Sequence, residues 1–223
     1  MRVKSSGLLK VILILVFALS AWQPIVSAQA WSNNYAYRRA ITIDHTKVSN
    51  TDQSSFPVLI SGTYSYLATI ANGGDVTSAS GYDVIFTSDA AGTNALAFER
   101  ESYSSSTGAV IFWVKIPTLS HTADTVIYVF YGNGSISSDQ SNKTAVWDSN
   151  FAGVWHMGDN AANTTVSDST SNGRNGTAAA NTSTKTIAGE IGNALSFNGS
   201  TDKVTTNLTR TTAFTLGSVD QPA

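Results

Sequence analysis

Cysteine is absent from this chain of 223 residues. A chain without cysteine forms no disulfides and no thiolate zinc site, so its stability must come from apolar cores of ordinary size. No segment keeps a 3.6-residue apolar period long enough to form a major helix. Clusters of Lys and Arg are also missing. Their absence argues against nucleic acid as a partner and disfavours binding to an anionic membrane surface.

Residues 1–30 have the pattern of a Sec-type export signal. Three basic residues precede an apolar run at 11–22, and residues 27–30 end in the small-x-small pattern that signal peptidase accepts. The run is shorter than the roughly 20 residues of a membrane-spanning helix. We therefore expect cleavage after Ala30, or as a second choice after Ala28, with no stable membrane span afterwards. The mature protein would be secreted, or located at the cell surface or in the periplasm.

Cleavage after residue 30 would also change the charge of the protein. The whole chain has 13 Lys and Arg against 15 Asp and Glu, and the predicted signal contains three of the basic residues and no acidic one. The mature chain would therefore carry a net charge of about −5, which again disfavours polyanionic partners.

Short runs of β-branched and aromatic residues recur along the mature chain and predict strands. The strongest runs are residues 35–44, 56–60, 82–87, 96–101, 109–116 and 125–131. Segments rich in Gly, Asn, Asp and Ser predict turns at 88–94, 104–108 and 120–124. Short helical turns are predicted at 63–70 and 140–147. Strands at this spacing are typical of an all-β, antiparallel β-sandwich.

The composition of the chain changes at about Asp148. Downstream, small polar residues dominate the stretch 160–185, and candidate strands become sparse. We therefore predict a β-sandwich domain over 31–148 and a second unit over 149–223.

Five segments of the first domain, taken in order, resemble the bacterial family known as domain of unknown function 2341. They are residues 37–43, 82–87, 98–102, 109–117 and 129–135. The resemblance covers residues 31 to about 147 and implies an extracytoplasmic β-sandwich module with no established reaction. Such modules often stand next to lectin-like domains, and in some relatives beside proton-channel proteins of the biopolymer-transport type. The resemblance thus adds an envelope protein to the candidate partners.

The second unit is similar to the start of a concanavalin A-like, laminin G-like jelly roll. Four segments carry this likeness, at residues 154–159, 167–178, 189–197 and 198–204. A jelly roll of about eight strands closes its core only when both sheets are present. Because this unit has room for only three or four strands, we expect an incomplete jelly roll that packs poorly.

Glu99 and Glu101 are the candidate catalytic residues. Residues two apart on a strand point to the same face, about 6.5–7 Å apart at Cα, which can bring two carboxyls to the spacing of a retaining glycosidase. The favoured alternative is a solvated strand face, or ion pairs with Arg38, Arg39 or Lys115, because charged residues on strands are mostly exposed. On this interpretation the chain is not an enzyme.

Three tyrosines on turn-like segments, Tyr64, Tyr66 and Tyr103, are the candidate ligand-binding residues. Sugars stack their apolar faces on aromatic rings, so exposed rings would suit a carbohydrate ligand. His156, next to Trp155, is predicted to cover an aromatic ring rather than to bind a metal.

A calcium site is the only cofactor for which the sequence offers candidates. Asp168, Asn172, Asn198 and Asp202 place oxygen ligands on turns, as Ca²⁺ requires. The favoured alternative is that these residues serve turn geometry alone. The three histidines show no zinc-ligand spacing.

Together these features predict an exported, non-catalytic surface or secreted module that binds carbohydrate or another surface polymer. Two alternatives remain open. One is a polysaccharide-acting glycoside hydrolase that uses Glu99 and Glu101, and the other is a structural component of an envelope transport-associated assembly.

Overall fold

The computed structural model describes residues 33–206. The predicted export signal and the last part of the second unit lie outside these residues. Six strands occupy the first region: β1 (Tyr37–Ile43), β2 (Gln53–Thr63), β3 (Val84–Thr87), β4 (Phe98–Tyr103), β5 (Ala109–Leu119) and β6 (Thr125–Tyr131). A short helix and five short strands follow: α1 (Lys143–Val146), β7 (Thr165–Val166), β8 (Gly176–Ala178), β9 (Thr186–Ala188), β10 (Asn193–Leu195) and β11 (Val204–Thr206).

The prediction of an all-β fold is confirmed. All strand pairs of the described residues are antiparallel, apart from one isolated bridge between Thr69 and Val76. Between residues 33 and 206, no helix has the length and apolar character needed to cross a membrane.

Two three-stranded sheets form the sandwich of the first region. One has the strand order β1-β6-β3 and the other β2-β5-β4. Their facing sides meet in a core in which the rings of Phe86, Phe98 and Phe112 contact one another edge-on, with centroids 5.2–6.0 Å apart. Aromatic and β-branched residues alternate along these strands, so each strand directs one apolar row into this core.

Strand β2 is longer than the apolar run 56–60 that predicted it. Its polar ends pair with β5 as well, from Gln53 opposite Leu119 to Thr63 opposite Ala109. Polar side chains give no apolar signal, although their backbone groups can join a ladder. The predicted helical turns also exist in shorter form, as a 3₁₀ turn at Ser65–Leu67 and as α1.

The second region has a much smaller interior. Its strands form a three-stranded sheet of order β11-β8-β7 and a separate hairpin of β9 and β10. Its buried apolar residues are Val166, Ala178 and Leu195. Trp155 and Met157 pack against them from one side. The expectation that this unit packs poorly stays a prediction.

Candidate functional site

The outer face of the β2-β5-β4 sheet, turned away from the sandwich core, carries two carboxylates and an indole. Glu99 on β4 lies opposite Trp113 on β5. The pairing then shifts, because Arg100 lies opposite Phe112 while Ser102 lies opposite Ile111. Glu101 is therefore the extra residue of a β-bulge, a feature that changes the direction in which a strand presents its side chains.

Glu99 is buried by residues that come much later in the chain. Its exposed fraction is 6%. One oxygen, Oε2, accepts hydrogen bonds from Trp147 Nε1 at 2.7 Å and lies 3.0 Å from His156 Nε2, and Oε1 accepts a bond from Ser169 Oγ at 2.6 Å. Each donor is fully or partly buried, so the carboxylate is satisfied by protein groups.

Glu101 completes a charged group around the same imidazole. Its Oε2 accepts a hydrogen bond from Trp113 Nε1 at 2.7 Å and lies 3.3 Å from His156 Nδ1. The His156 ring also stacks on Trp113, with centroids 5.5 Å apart and planes 22° apart. Because each ring nitrogen faces a carboxylate oxygen, the geometry favours the imidazolium, in which both nitrogens carry a proton.

The surroundings stabilise a negative charge on Glu99 and a positive charge on His156. Burial alone would raise the pKa of Glu99, but hydrogen bonds from His156, Ser169 and Trp147 bring this pKa below its usual value. Burial alone would lower the pKa of His156, but the hydrogen bond and charge of Glu99, with the charge of Glu101, raise it. The ion pair is therefore kept over a wider pH range than two isolated groups would allow.

A cavity of about 390 Å³ opens beside this network. Its wall includes Glu101 from the sheet, Lys143 from α1, and Asp159, Ser167 and Asn193 from the second region. The lining thus combines carboxylate, ammonium, hydroxyl and amide groups within one space, and such a set can exchange several hydrogen bonds with a polar ligand.

The favoured interpretation of Glu99 and Glu101 as a solvated strand face was wrong. Glu99 is buried, and neither residue forms an ion pair with Arg38, Arg39 or Lys115. The two carboxylates do share a face, as the strand periodicity predicted.

A protein side chain occupies the space between the two carboxylates. A glycosidase holds the scissile bond between its two carboxyl groups. Here the imidazole of His156 lies between Glu99 and Glu101. Their inward oxygens also accept indole N–H groups. In this arrangement the carboxylates position protein groups rather than a substrate.

The three candidate tyrosines do not form one exposed platform. Tyr64 and Tyr66 are half-buried, 5.6 Å apart at their ring centroids, and line a second cavity. Tyr103 is the last residue of β4 rather than part of a turn, and its hydroxyl donates to the carbonyl of Leu67 at 2.9 Å. Burial raises the pKa of Tyr103 to about 12.

Asp168 and Asn172 lie in one turn, but their side chains already have protein partners. Asp168 is 3% exposed, and its carboxylate accepts the backbone N–H groups of Val154, Thr170 and Arg174 as well as the Thr170 hydroxyl. Asn172 donates its amide to two backbone carbonyls of the preceding loop. Four donors fill the carboxylate, which favours the turn interpretation over a calcium ligand.

Asn198 and Asp202 belong to a different turn, which follows β10. The Asn198 side-chain oxygen accepts the backbone N–H groups of Ser200, Thr201 and Asp202. Asp202 pairs with Lys185 at 2.7 Å. These contacts again describe a turn, and the calcium site itself stays a prediction.

A cluster with metal-ligand geometry does occur elsewhere in the described chain. Ligand atoms of Asp44, His45 and Asp124 lie within 4.8 Å of one another. Sequence spacing did not indicate it, because Asp124 comes from the turn between β5 and β6. The Asp124 carboxylate already accepts the backbone N–H of His45 and faces its Nδ1 at 2.7 Å, so the cluster also serves to connect two loops.

Trp147, His156 and Ser169 are the site residues that sequence reasoning missed or placed elsewhere. His156 does cover an aromatic ring, as predicted, but this ring is Trp113 rather than the adjacent Trp155. One signal was available, since residues 109–114 are apolar at consecutive positions. Such a run is typical of a strand covered on both faces.

An antiparallel β-sandwich with a covered, charged outer face is thus the class that the geometry defines. A family model described as domain of unknown function (DUF2341) matches residues 80–172. A DUF2341 domain is therefore found in this part of the chain, and it includes every member of the network from Glu99 to Ser169. No curated protein and no solved structure matches the chain.

The extent of the match differs from the predicted resemblance. It begins later than residue 31 and continues beyond residue 147, into segments that also resembled a lectin-like jelly roll. No family match supports that second likeness. Hydrogen bonds from His156 and Ser169 to Glu99 join side chains on both sides of Asp148, and the predicted domain boundary there stays a prediction.

Proposed function

We propose that this protein is an exported, non-catalytic module that binds carbohydrate in the cavity beside Glu101. The main support for this proposal is the polar lining of that cavity. Its volume is about 390 Å³, and its polar lining residues include Lys143, Asp159, Ser167 and Asn193. A sugar presents many hydroxyl groups, each both donor and acceptor, and this mixture of donors and acceptors complements them.

The rigid wall of the cavity supports binding. The imidazole of His156 contacts the carboxylates of Glu99 and Glu101, and each carboxylate also accepts one indole N–H group. Side chains fixed in this way lose little conformational freedom when a ligand arrives, which favours affinity. The same contacts occupy the groups that acid–base catalysis would need, which supports a module that binds without reaction.

Export rests on the pattern of residues 1–30, which lie outside the described residues. A positively charged start, an apolar segment and a small-x-small site in this order are typical of exported proteins. A carbohydrate ligand would be met in that compartment as a surface or secreted polymer.

Asn193 provides the sharpest test of the cavity. It is exposed, its backbone lies in β10, and its side chain has no hydrogen-bond partner among the described residues, so its removal should spare the fold. The mature chain is screened on a glycan array, and the best ligand is titrated by calorimetry. We expect Asn193→Ala to weaken binding roughly fivefold, the loss of about one hydrogen bond.

The matched control is Asn50→Ala, another exposed asparagine, located between β1 and β2. It should bind the same glycan with wild-type affinity. Failure of the wild-type chain to retain any glycan, or equal affinities for the two variants, would contradict the proposal.

A further inference from the structure

A second cavity, of about 330 Å³, lies between the two sheets of the sandwich. It is bordered by β1 and β2, the strands that end their respective sheets on one side. Ile41 and Ile60 line its sides, and Phe112 and Val129 lie among its inner residues. None of the described residues that line it is acidic. Its volume falls within the range of roughly 300–1,000 Å³ that is usual for small-molecule sites.

Tyr64 and Tyr66 also line this cavity, and an arginine lies over one of them. The guanidinium carbon of Arg39 is 4.0 Å from the centroid of the Tyr66 ring. Arg39 lies two residues before Ile41 on β1 and therefore shares the face of the strand that is turned toward the core. The Arg39 side chain is exposed and is not among the lining residues, so its guanidinium lies at the edge of the cavity, against the Tyr66 ring, rather than inside it.

The charge of Arg39 is only partly used by the protein. Its Nε donates to the hydroxyl of Tyr131 at 3.1 Å. Within residues 33–206, no carboxylate lies within 4.0 Å of its guanidinium, although Asp75 acts on it from farther away. Its two terminal nitrogens donate no hydrogen bond to a described residue, and they can therefore receive a bidentate anion.

We propose that this cavity binds an aliphatic carboxylate of the medium-chain fatty acid class. The hydrocarbon chain would enter between Ile41 and Ile60, where contact with apolar side chains removes it from water. The carboxylate would lie on the guanidinium of Arg39, beside the ring of Tyr66. Charge complementarity selects this ligand over a neutral apolar molecule, which would leave the arginine unpaired.

This site is independent of the proposed carbohydrate site. The two cavities share no lining residue, since the first is bounded by the outer face of the β2-β5-β4 sheet and the second by its inner face. A substitution that abolishes binding at one cavity should therefore leave binding at the other unchanged.

The test is calorimetric titration of the mature chain with decanoate, decanol and acetate. We expect decanoate to bind more tightly than decanol, and acetate not to bind measurably. Arg39→Gln should weaken the binding of decanoate at least tenfold and leave the affinity for decanol unchanged. Arg38→Gln is the matched control, because Arg38 points to the opposite face of β1, where it donates to the carbonyl of Ala90 and lies over Tyr128. It should bind decanoate as the wild type does.

The shift of the melting temperature on adding ligand is a second measurement, and it can also be made on variants that are less stable than the wild type. A ligand that binds the native state raises the melting temperature, so at the same concentration decanoate should raise that of the wild type clearly more than that of Arg39→Gln. Ile60→Phe, which fills the cavity, should abolish the shift for both decanoate and decanol. The proposal is overturned if decanoate does not bind the wild type, if decanol binds equally well, or if Arg39→Gln has no effect.

Discussion

The regions before and after Asp148 are stabilised in different ways. Among residues 33–206, fourteen residues of the first region form one buried apolar cluster between two sheets, whereas the corresponding cluster of the second region has three. Apolar burial is roughly proportional to area, so the second region obtains far less stability from this source. Its order must come from other interactions.

Those interactions are hydrogen bonds to buried polar side chains. Asp168 holds its turn through four donors. Thr182, which is fully buried, accepts from the N–H of Ala161 and donates to the carbonyl of the same residue. A buried polar group costs free energy unless it is paired, so each of these groups specifies one local geometry. The comparison teaches that a chain poor in apolar residues can still specify a structure through directional contacts.

The largest effect should come from the sandwich core. Phe112→Ala removes a ring that packs against Phe86 and Phe98, and we expect the free energy of unfolding to fall by about 3–5 kcal/mol in urea titrations. Leu195→Ala in the second region should cost less, about 2 kcal/mol, because its smaller cluster leaves a smaller cavity. An equal or larger loss for Leu195→Ala would break the contrast between the two regions.

The next effect tests the hydrogen-bonded turn. Asp168→Asn keeps the shape but replaces one accepting oxygen by an amide, which leaves buried N–H groups without a partner. We expect a loss of about 2–3 kcal/mol, and faster hydrogen exchange at the amides of Val154 and Arg174. Asp148→Asn is the control, because the Asp148 carboxylate accepts a single backbone N–H, from Asn150. This change should lower the free energy of unfolding by less than about 1 kcal/mol.

A smaller effect should appear on changing the pH. The pKa of His156 is raised, so its contribution is complete below the ordinary value of 6.5 and is lost as the pH rises through the raised pKa. The pKa of Glu99 is lowered, so its contribution is present above the ordinary value of 4.5 and is lost as the pH falls through the lowered pKa. Attachment of residues 147–169 to the sheet should therefore be strongest between these two ordinary values.

Hydrogen exchange across a pH series can measure this attachment, with strand β6 as an internal reference for the intrinsic pH dependence of exchange. As the pH rises above 6.5 and through the raised pKa of His156, protection of residues 147–169 should fall relative to β6 in the wild type. His156→Gln should remove that extra dependence. A wild-type profile parallel to that of β6 at every pH would show that the ion pair does not hold the segment.

The smallest effect concerns two glycines in turns of the second region. Gly192 and Gly199 both have left-handed backbones, at φ +64° and +73°. Alanine at either position should lower the free energy of unfolding by about 1 kcal/mol. At Gly192 the added Cβ would also lie 2.6 Å from Cδ1 of Ile111, whereas at Gly199 nothing lies within 4 Å. Thermal melts should show Gly192→Ala slightly the less stable of the two, and equal values would mean that the Ile111 side chain moves aside freely.

Much of the first region could be predicted from its sequence. Strand β6 has the predicted bounds, and the run 109–116 is the first part of β5. These segments combine high β-propensity with clear turns on both sides, so local and tertiary preferences agree. Pairing order was not predictable in this way, because it depends on contacts between strands that are far apart in the chain.

The candidate site was predictable only in part. Periodicity placed Glu99 and Glu101 on one face, but it could not show which residues cover that face. The partners His156 and Ser169 lie 57 and 70 positions after Glu99. Neither has a neighbour in sequence that indicates such a contact. The environment of a carboxylate is a tertiary property, and for this reason its burial and pKa could not be derived from the strand alone.

The covering of the outer sheet face has a practical consequence for dividing the protein. A recombinant piece ending at Asp148 would contain the whole sandwich, yet it would expose Glu99 without the imidazole and hydroxyl that complete its bonding, and Trp113 without the imidazole that stacks on it. Such a piece would present a half-apolar, acidic surface suited to self-association. A piece ending after Arg174 would keep this cover together with the four donors to Asp168, and it is the better choice for crystallisation or for NMR.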